Sequence, residues 1–214
     1  MYVKDIRQQL QKKLGLSIYK LVENVLDSEI SIIETGKNVK LKKLTLTHLP
    51  SEKCICWRIN LESRIPGLST ANKTGEIALV ILKNNYLNVY LIELKSMIKD
   101  TTLNAIQEKI QDSINRFYFL LLLNSDKDHE FFKNLKIRFI ALVFFDGHDK
   151  TTSTTAPIYK IFKNRGGQLS CNTLLEKGLS IPLKFFSNNF DKSTGSMKMS
   201  FSDIEKEIKN IRGI

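Results

Sequence analysis

Two glutamates and a lysine are the residues of this sequence whose types and spacing could do chemistry. Glu76 opens the apolar run EIALVILK (residues 76–83), and Glu93-Leu94-Lys95 closes the next run, YLNVYLIELK (residues 86–95). Both runs are rich in β-branched and aromatic residues, and the Asn84–Asn85 pair between them tolerates the positive φ of a tight hairpin turn. With these asparagines at the centre of the turn, Lys83 pairs with Tyr86, Val80 with Val89 and Ala78 with Leu91, which brings Glu76 opposite Glu93. Facing residues of an antiparallel pair hold their Cβ atoms about 4.5–5.5 Å apart, and like charges at that spacing repel. A divalent cation relieves the repulsion, and carboxylate oxygens are the ligands magnesium prefers. Lys95 projects from the same face as Glu93, two residues on, where an ammonium can orient or help deprotonate a water. Two acids, a lysine and a metal suffice for hydrolysis of a phosphodiester. Without metal, Glu76→Gln or Glu93→Gln should leave stability unchanged or raise it, because a repulsive pair is gone. The competing reading makes all three residues solvated strand ends, and a one-residue slip in register would turn Glu76 to the other face.

The surrounding elements must hold that geometry. Ile18, Leu21, Val22, Val25 and Leu26 recur at helical spacing, continuing through Ile32 and Ile33 to Gly36, which predicts a first helix. Leu41, Leu44 and Leu46 predict a strand, and residues 54–61 a second. Residues 66–75 read as a loop. After the hairpin, residues 101–123 form the clearest helix, with Leu103, Ile106, Ile110, Ile114 and Phe117 as its apolar stripe. The nearly all-apolar run 137–145 looks like a strand covered on both faces. Beyond it come a Thr-rich loop (147–157), weak strands at 158–162 and 180–186, and a short helix from Ser202 with Glu205 in the capping-box position. The order predicts an α/β fold, a mixed central sheet flanked by helices, in a single domain spanning 1–214. A chain of this length buries roughly 70% of the surface its unfolded form exposes and needs no disulfide or structural metal to fold.

The order TGEIALVIL, VYLIELKS and then a long helix resembles the core of the PD-(D/E)xK, or restriction-endonuclease-like, nuclease superfamily. In that family an acid on one strand, and an acid and a lysine on the next, bind magnesium and cut DNA or sometimes RNA. The resemblance implies a restriction-endonuclease-like core over about 16–146, with 147–214 a C-terminal extension of unassigned role. Gly75-Glu76 stands where the family has Pro-Asp, and Glu93-Leu94-Lys95 stands at its (D/E)xK. Glu76, Glu93 and Lys95 are thus the implied catalytic residues of a magnesium-dependent (manganese in substitution) endonuclease. Many members carry a further metal-binding acid on the first helix, a place for which Glu23 and Glu29 compete, Glu23 matching it better. The helix after the motif often presents a polar residue to the metal, and Gln107, Lys109 and Gln111 are the candidates. Nucleases that break both strands often act as pairs, so a homodimer is expected.

Charge supports a polyanionic partner. Lys plus Arg number 33 against 22 Asp plus Glu, a net charge of +11, and nucleic acid is the first partner such an excess suggests. Lys40, Lys42 and Lys43 cluster at the start of the first strand, and Lys163 and Arg165 lead into Gly166–Gly167, giving candidate phosphate contacts. A lysine-rich proteome would also explain the charge, and a plain hairpin turn would explain the KNRGG stretch. The alternative function is a non-catalytic DNA- or RNA-binding module on the same fold. The three cysteines, Cys54, Cys56 and Cys171, show no disulfide or zinc spacing. His48, His129 and His148 share no ligand spacing, and no Walker or dinucleotide motif occurs. No run approaches the ~20 apolar residues of a membrane span, and the first residues are polar, so a cytoplasmic protein is expected.

Overall fold

The computed structural model describes residues 22–34, 39–51, 54–61, 75, 77–83, 86–96, 98, 100–123, 136–146, 167–187 and 189–209. The strands are β1 (Val22–Asn24), β2 (Ile30–Ile33), β3 (Lys43–Thr47), β4 (Ile55–Asn60), β5 (Ile77–Lys83), β6 (Tyr86–Lys95), β7 (Lys136–Phe145), β8 (Gly167–Cys171), β9 (Leu179–Phe186), β10 (Phe190–Asp191) and β11 (Ser196–Ser200). The helices are α1 (Asp100–Leu123) and α2 (Phe201–Lys209). A seven-stranded sheet runs β1-β4-β5-β6-β7-β9-β8, and a four-stranded sheet runs β10-β11-β3-β2. Both are mixed, so the protein is α/β with two mixed sheets.

The hairpin register is the expected one. Lys83 faces Tyr86, Leu82 faces Leu87, Val80 faces Val89, Ala78 faces Leu91 and Ile77 faces Ile92. Strand β6 then continues into α1, which crosses over so that β7 lies parallel to β6, and β9 is parallel to β7 in turn. Strand β7 is buried along most of its length, as its all-apolar run requires when both faces are covered.

Each face of the large sheet has its own core. Ala78, Val80, Leu87, Val89 and Leu91 pack against Ile106, Ile110, Ile114 and Phe117 of α1. The period-2 alternation sends Leu79, Ile81, Tyr90, Ile92 and Leu94 to the other face, where they meet Leu44, Leu46, Met197 and Met199 of the small sheet and Phe201, Ile204 and Ile208 of α2. Asp203 in the first turn of α2 and Lys206 and Lys209 in its last turn complement the helix dipole. Cys56 and Cys171 are buried free thiols, and burial pushes them up to about 12 and about 11. Among the described residues, no helix is long and apolar enough to cross a membrane.

The N-terminal helix is a misreading over its described part. Residues 22–24 are an edge strand paired with β4, and residues 30–33 are a strand paired with β3. Leu26, expected on the helix's buried stripe, is exposed, while Ile30 and Ile32 are buried and Ile33 is exposed. That is the alternation of a strand, and β-branched Val and Ile fit it better than a helix. Strands β8, β10 and β11 were not expected. Helix α2 begins at Phe201, so Ser202 lies inside its first turn and is not the cap. The expected loop at 147–157 and strand at 158–162 lie outside the described residues, as do Gln11-to-Leu21 positions such as Ile18.

Candidate functional site

The site is built where β6 ends beneath α1. Glu93 lies two residues past Leu91, on the face that α1 covers, and its side chain is 0% exposed. Burial of a charged group is costly unless it is paired, and Glu93 is paired twice. The Lys109 ammonium donates to Oε1 at 2.7 Å, and Lys95 makes an ion pair with the same oxygen. These lysines keep 22% and 20% exposure, for Lys95 and Lys109 respectively, so each ammonium bridges the buried carboxylate and solvent. Glu93 Oε2 is buried and has no hydrogen-bond partner among the described residues.

The start of β5 is fixed to the same spot. The Gly75 N–H donates to Ser113 Oγ at 2.8 Å, and the Ser113 hydroxyl donates to the Lys109 carbonyl at 2.6 Å. A Cβ at position 75 would stand 3.2 Å from the Ile92 carbonyl oxygen, 3.4 Å from Ser113 Oγ and 3.6 Å from Glu93 Oε2. The backbone just before Glu76 therefore lies beside the unpartnered oxygen. Glu76 itself lies outside the described residues, between Gly75 and Ile77, whose partner Ile92 precedes Glu93. The glycine at position 75 also has a local reason: its N–H is in use, and proline has none to give.

Of the expected residues, the structure brings together Glu93, Lys95 and Lys109. It places Gln107, Gln111, Glu29 and Glu23 elsewhere. Gln107 is two residues, or 200°, around α1 from Lys109, and its amide donates to the Ser170 carbonyl of β8 at 2.7 Å. Gln111 accepts from the Asn172 N–H at 2.8 Å, so both glutamines tie α1 to β8 and the turn that follows it. Glu29 is not on a helix stripe. It sits between β1 and β2, is 50% exposed and pairs with Lys198 at 3.5 Å. Glu23 is on edge strand β1 opposite Arg58, three strands from β6, because the helix that was to carry it is absent there. Lys163 and Arg165 lie outside the described residues.

The basic cluster divides. Lys40 and Lys42 line a cleft of about 390 Å³ together with Asp146, Phe190, Lys192 and the 193–195 turn. Lys43 is exposed on β3 and does not line it. Ser113 and Lys192 escaped sequence reasoning. Ser113 had a signal, since it is a small polar residue three after Ile110 and four before Phe117, on the apolar stripe itself.

Among the described residues, no group of three His, Cys, Asp or Glu side chains could hold a metal ion. At the candidate site the described carboxylate oxygen left without a partner is Glu93 Oε2, an atom of the type that magnesium takes alongside its waters. Comparison of the chain with protein-family models, with curated proteins and with solved structures gives no match.

Proposed function

We propose that the protein is a magnesium-dependent endonuclease that hydrolyses phosphodiester bonds of DNA, on a restriction-endonuclease-like core. The observation that carries this reading is the buried Glu93, with Lys95 on its Oε1 and an unpartnered Oε2 beside the backbone that leads into Glu76. The order β4-β5-β6-α1-β7, an antiparallel meander followed by a helix and a parallel strand, supports the fold part of the proposal. Glu76 and Glu93 would hold the metal, which when bound would supply positive charge for the transition state and a more acidic water.

The chain's own residues do the rest. Lys109 holds Glu93 in place from α1, and Ser113 holds Gly75. Lys95 is the candidate to orient the attacking water, because its ammonium is the partly exposed group on the strand that carries the acid. The net charge of +11 attracts the polyanion. Two copies related by a two-fold axis would allow both strands of a duplex to be cut.

A second reading has one observation in its favour. Two ammonium groups already neutralise Glu93 without any cation, which is the state wanted by a DNA- or RNA-binding module that does no chemistry. Incubation with plasmid, linear duplex and single-stranded substrates, with and without magnesium, separates the two. Cleavage that needs magnesium and is abolished in Glu76→Gln, Glu93→Gln and Lys95→Ala, with binding retained in Lys95→Ala, supports the nuclease. Binding without cleavage of any substrate supports the module.

A further inference from the structure

We infer that the cleft between β3 and the β10–β11 turn is a subsite for a backbone phosphate of the nucleic acid, with Lys42 and Lys192 as its ligands. This deepens the proposed function and rests on it. Among the described residues, three lysines line the cleft, Lys40, Lys42 and Lys192, against one acid, Asp146. Lys40 is partly engaged, with Nζ 3.5 Å from Asp146 Oδ2. Lys42 and Lys192 are exposed, and among the described residues neither ammonium group has a hydrogen-bond or ion-pair partner. Like charges facing one cleft repel, and an anion between them relieves the repulsion.

The cleft is held in shape by backbone. Gly195 accepts from the Lys42 N–H at 2.7 Å and the Lys43 N–H at 3.3 Å, joining the turn to the start of β3. Gly195 has φ +65°, and a Cβ there would be 2.6 Å from the Lys40 carbonyl oxygen, so only glycine permits this approach. The turn is braced internally as well. Asp191 Oδ1 accepts from the Ser193 N–H at 2.9 Å and Asp191 Oδ2 from the Thr194 hydroxyl at 2.8 Å.

The cleft also lies at the same end of the large sheet as Glu93 and Lys95, where β6 and β7 finish. The Lys40 N–H donates to Ser96 Oγ at 2.8 Å, and Ser96 follows Lys95. Asp146 follows Phe145, the residue that faces Lys95 across β6 and β7. A strand whose scissile group sits at Lys95 would therefore run past the cleft, and ligands of parallel strands bind outside their carboxyl ends.

The test measures affinity for a fluorescent duplex in EDTA against salt, for the parent, for Lys42→Ala/Lys192→Ala and for the control Lys136→Ala/Lys177→Ala. The control lysines lie at the opposite end of the strands, at the start of β7 and in the turn before β9. Each lost phosphate contact lowers the slope of log affinity against log salt by about 0.9. Loss of two contacts should shrink the parent's advantage over the cleft variant about twelvefold between 50 and 200 mM salt. The control should keep the parent's slope. A cleft variant that keeps the parent's slope, or a control that loses as much, overturns the subsite and leaves the nuclease reading standing. A parent that neither binds nor cuts DNA overturns both.

Discussion

Replacing Glu93 by Gln should destabilise the metal-free protein, contrary to what facing glutamates alone would suggest. The carboxylate is 0% exposed and accepts from two ammonium groups. Gln keeps the volume and one acceptor but removes the charge, so Lys95 and Lys109 lose their shared counter-ion. Removing one partner of a fully buried ion pair costs about 3–5 kcal/mol. Both lysines are about one-fifth exposed, so they can turn their heads toward water, and a cost of about 2–3 kcal/mol follows. Urea slopes for small proteins are about 1–3 kcal/mol per molar and grow with size, so the midpoint in EDTA should fall by roughly 1 M. Lys95→Ala and Lys109→Ala each leave Glu93 one partner and should each cost about 1 kcal/mol. Magnesium should raise the parent's midpoint, because it binds only the folded site, and should leave that of Glu93→Gln unmoved. A midpoint in EDTA that is unchanged or higher in Glu93→Gln would refute the reasoning.

Ser113→Ala leaves the Gly75 N–H without its acceptor and should cost about 1–2 kcal/mol, read as a urea midpoint. Because Ser113 positions the backbone before Glu76, the same variant should cut DNA more slowly while binding it normally in EDTA; unchanged cleavage would remove Ser113 from the site. Hydrogen bonds from Ser193 and Thr194 hold the Asp191 carboxyl below its ordinary value of 3.8. Its support for the β10–β11 turn is therefore fully present above that value and is lost as the pH falls through the lower folded value. A carbon-detected NMR titration giving Asp191 a midpoint at or above 3.8 would contradict this.

The parts of the fold that were legible are those whose information is local. The β5–β6 register follows from one turn and two alternating runs, and α1 from a stripe that repeats over about four turns of helix. Lys109 was legible as a polar flank of that stripe, though helical spacing alone could not choose it over Gln107. The first helix was misread because Val22, Val25 and Ile32 satisfy helical spacing by coincidence, while the alternation of Ile30, Ser31, Ile32 and Ile33 covers only four residues. Strand β11, SMKMS, offers just two apolar residues, and the partner that makes it a strand is β3, far earlier in the chain. No window along the sequence contains that pairing. Lys192 joins Lys40 and Lys42 only through it, which is why the cleft was invisible.

The parallel pairing of β3 with β11 also bears on how the protein is made. The Thr47 hydroxyl meets the Met199 carbonyl across a separation of 152 residues. Chains with many such distant contacts fold slowly, since loop closure must precede the reward. During synthesis at about 5–20 residues per second, β3 would wait roughly 8–30 s for its partner to be made. The β5–β6 hairpin and α1 can assemble from a nascent chain in that interval, while the small sheet and the lysines of the cleft cannot. A half-made chain on a ribosome would thus carry the Glu93 pocket without the surface inferred to grip a strand, and the basic groove would come into being only as the last strand docks.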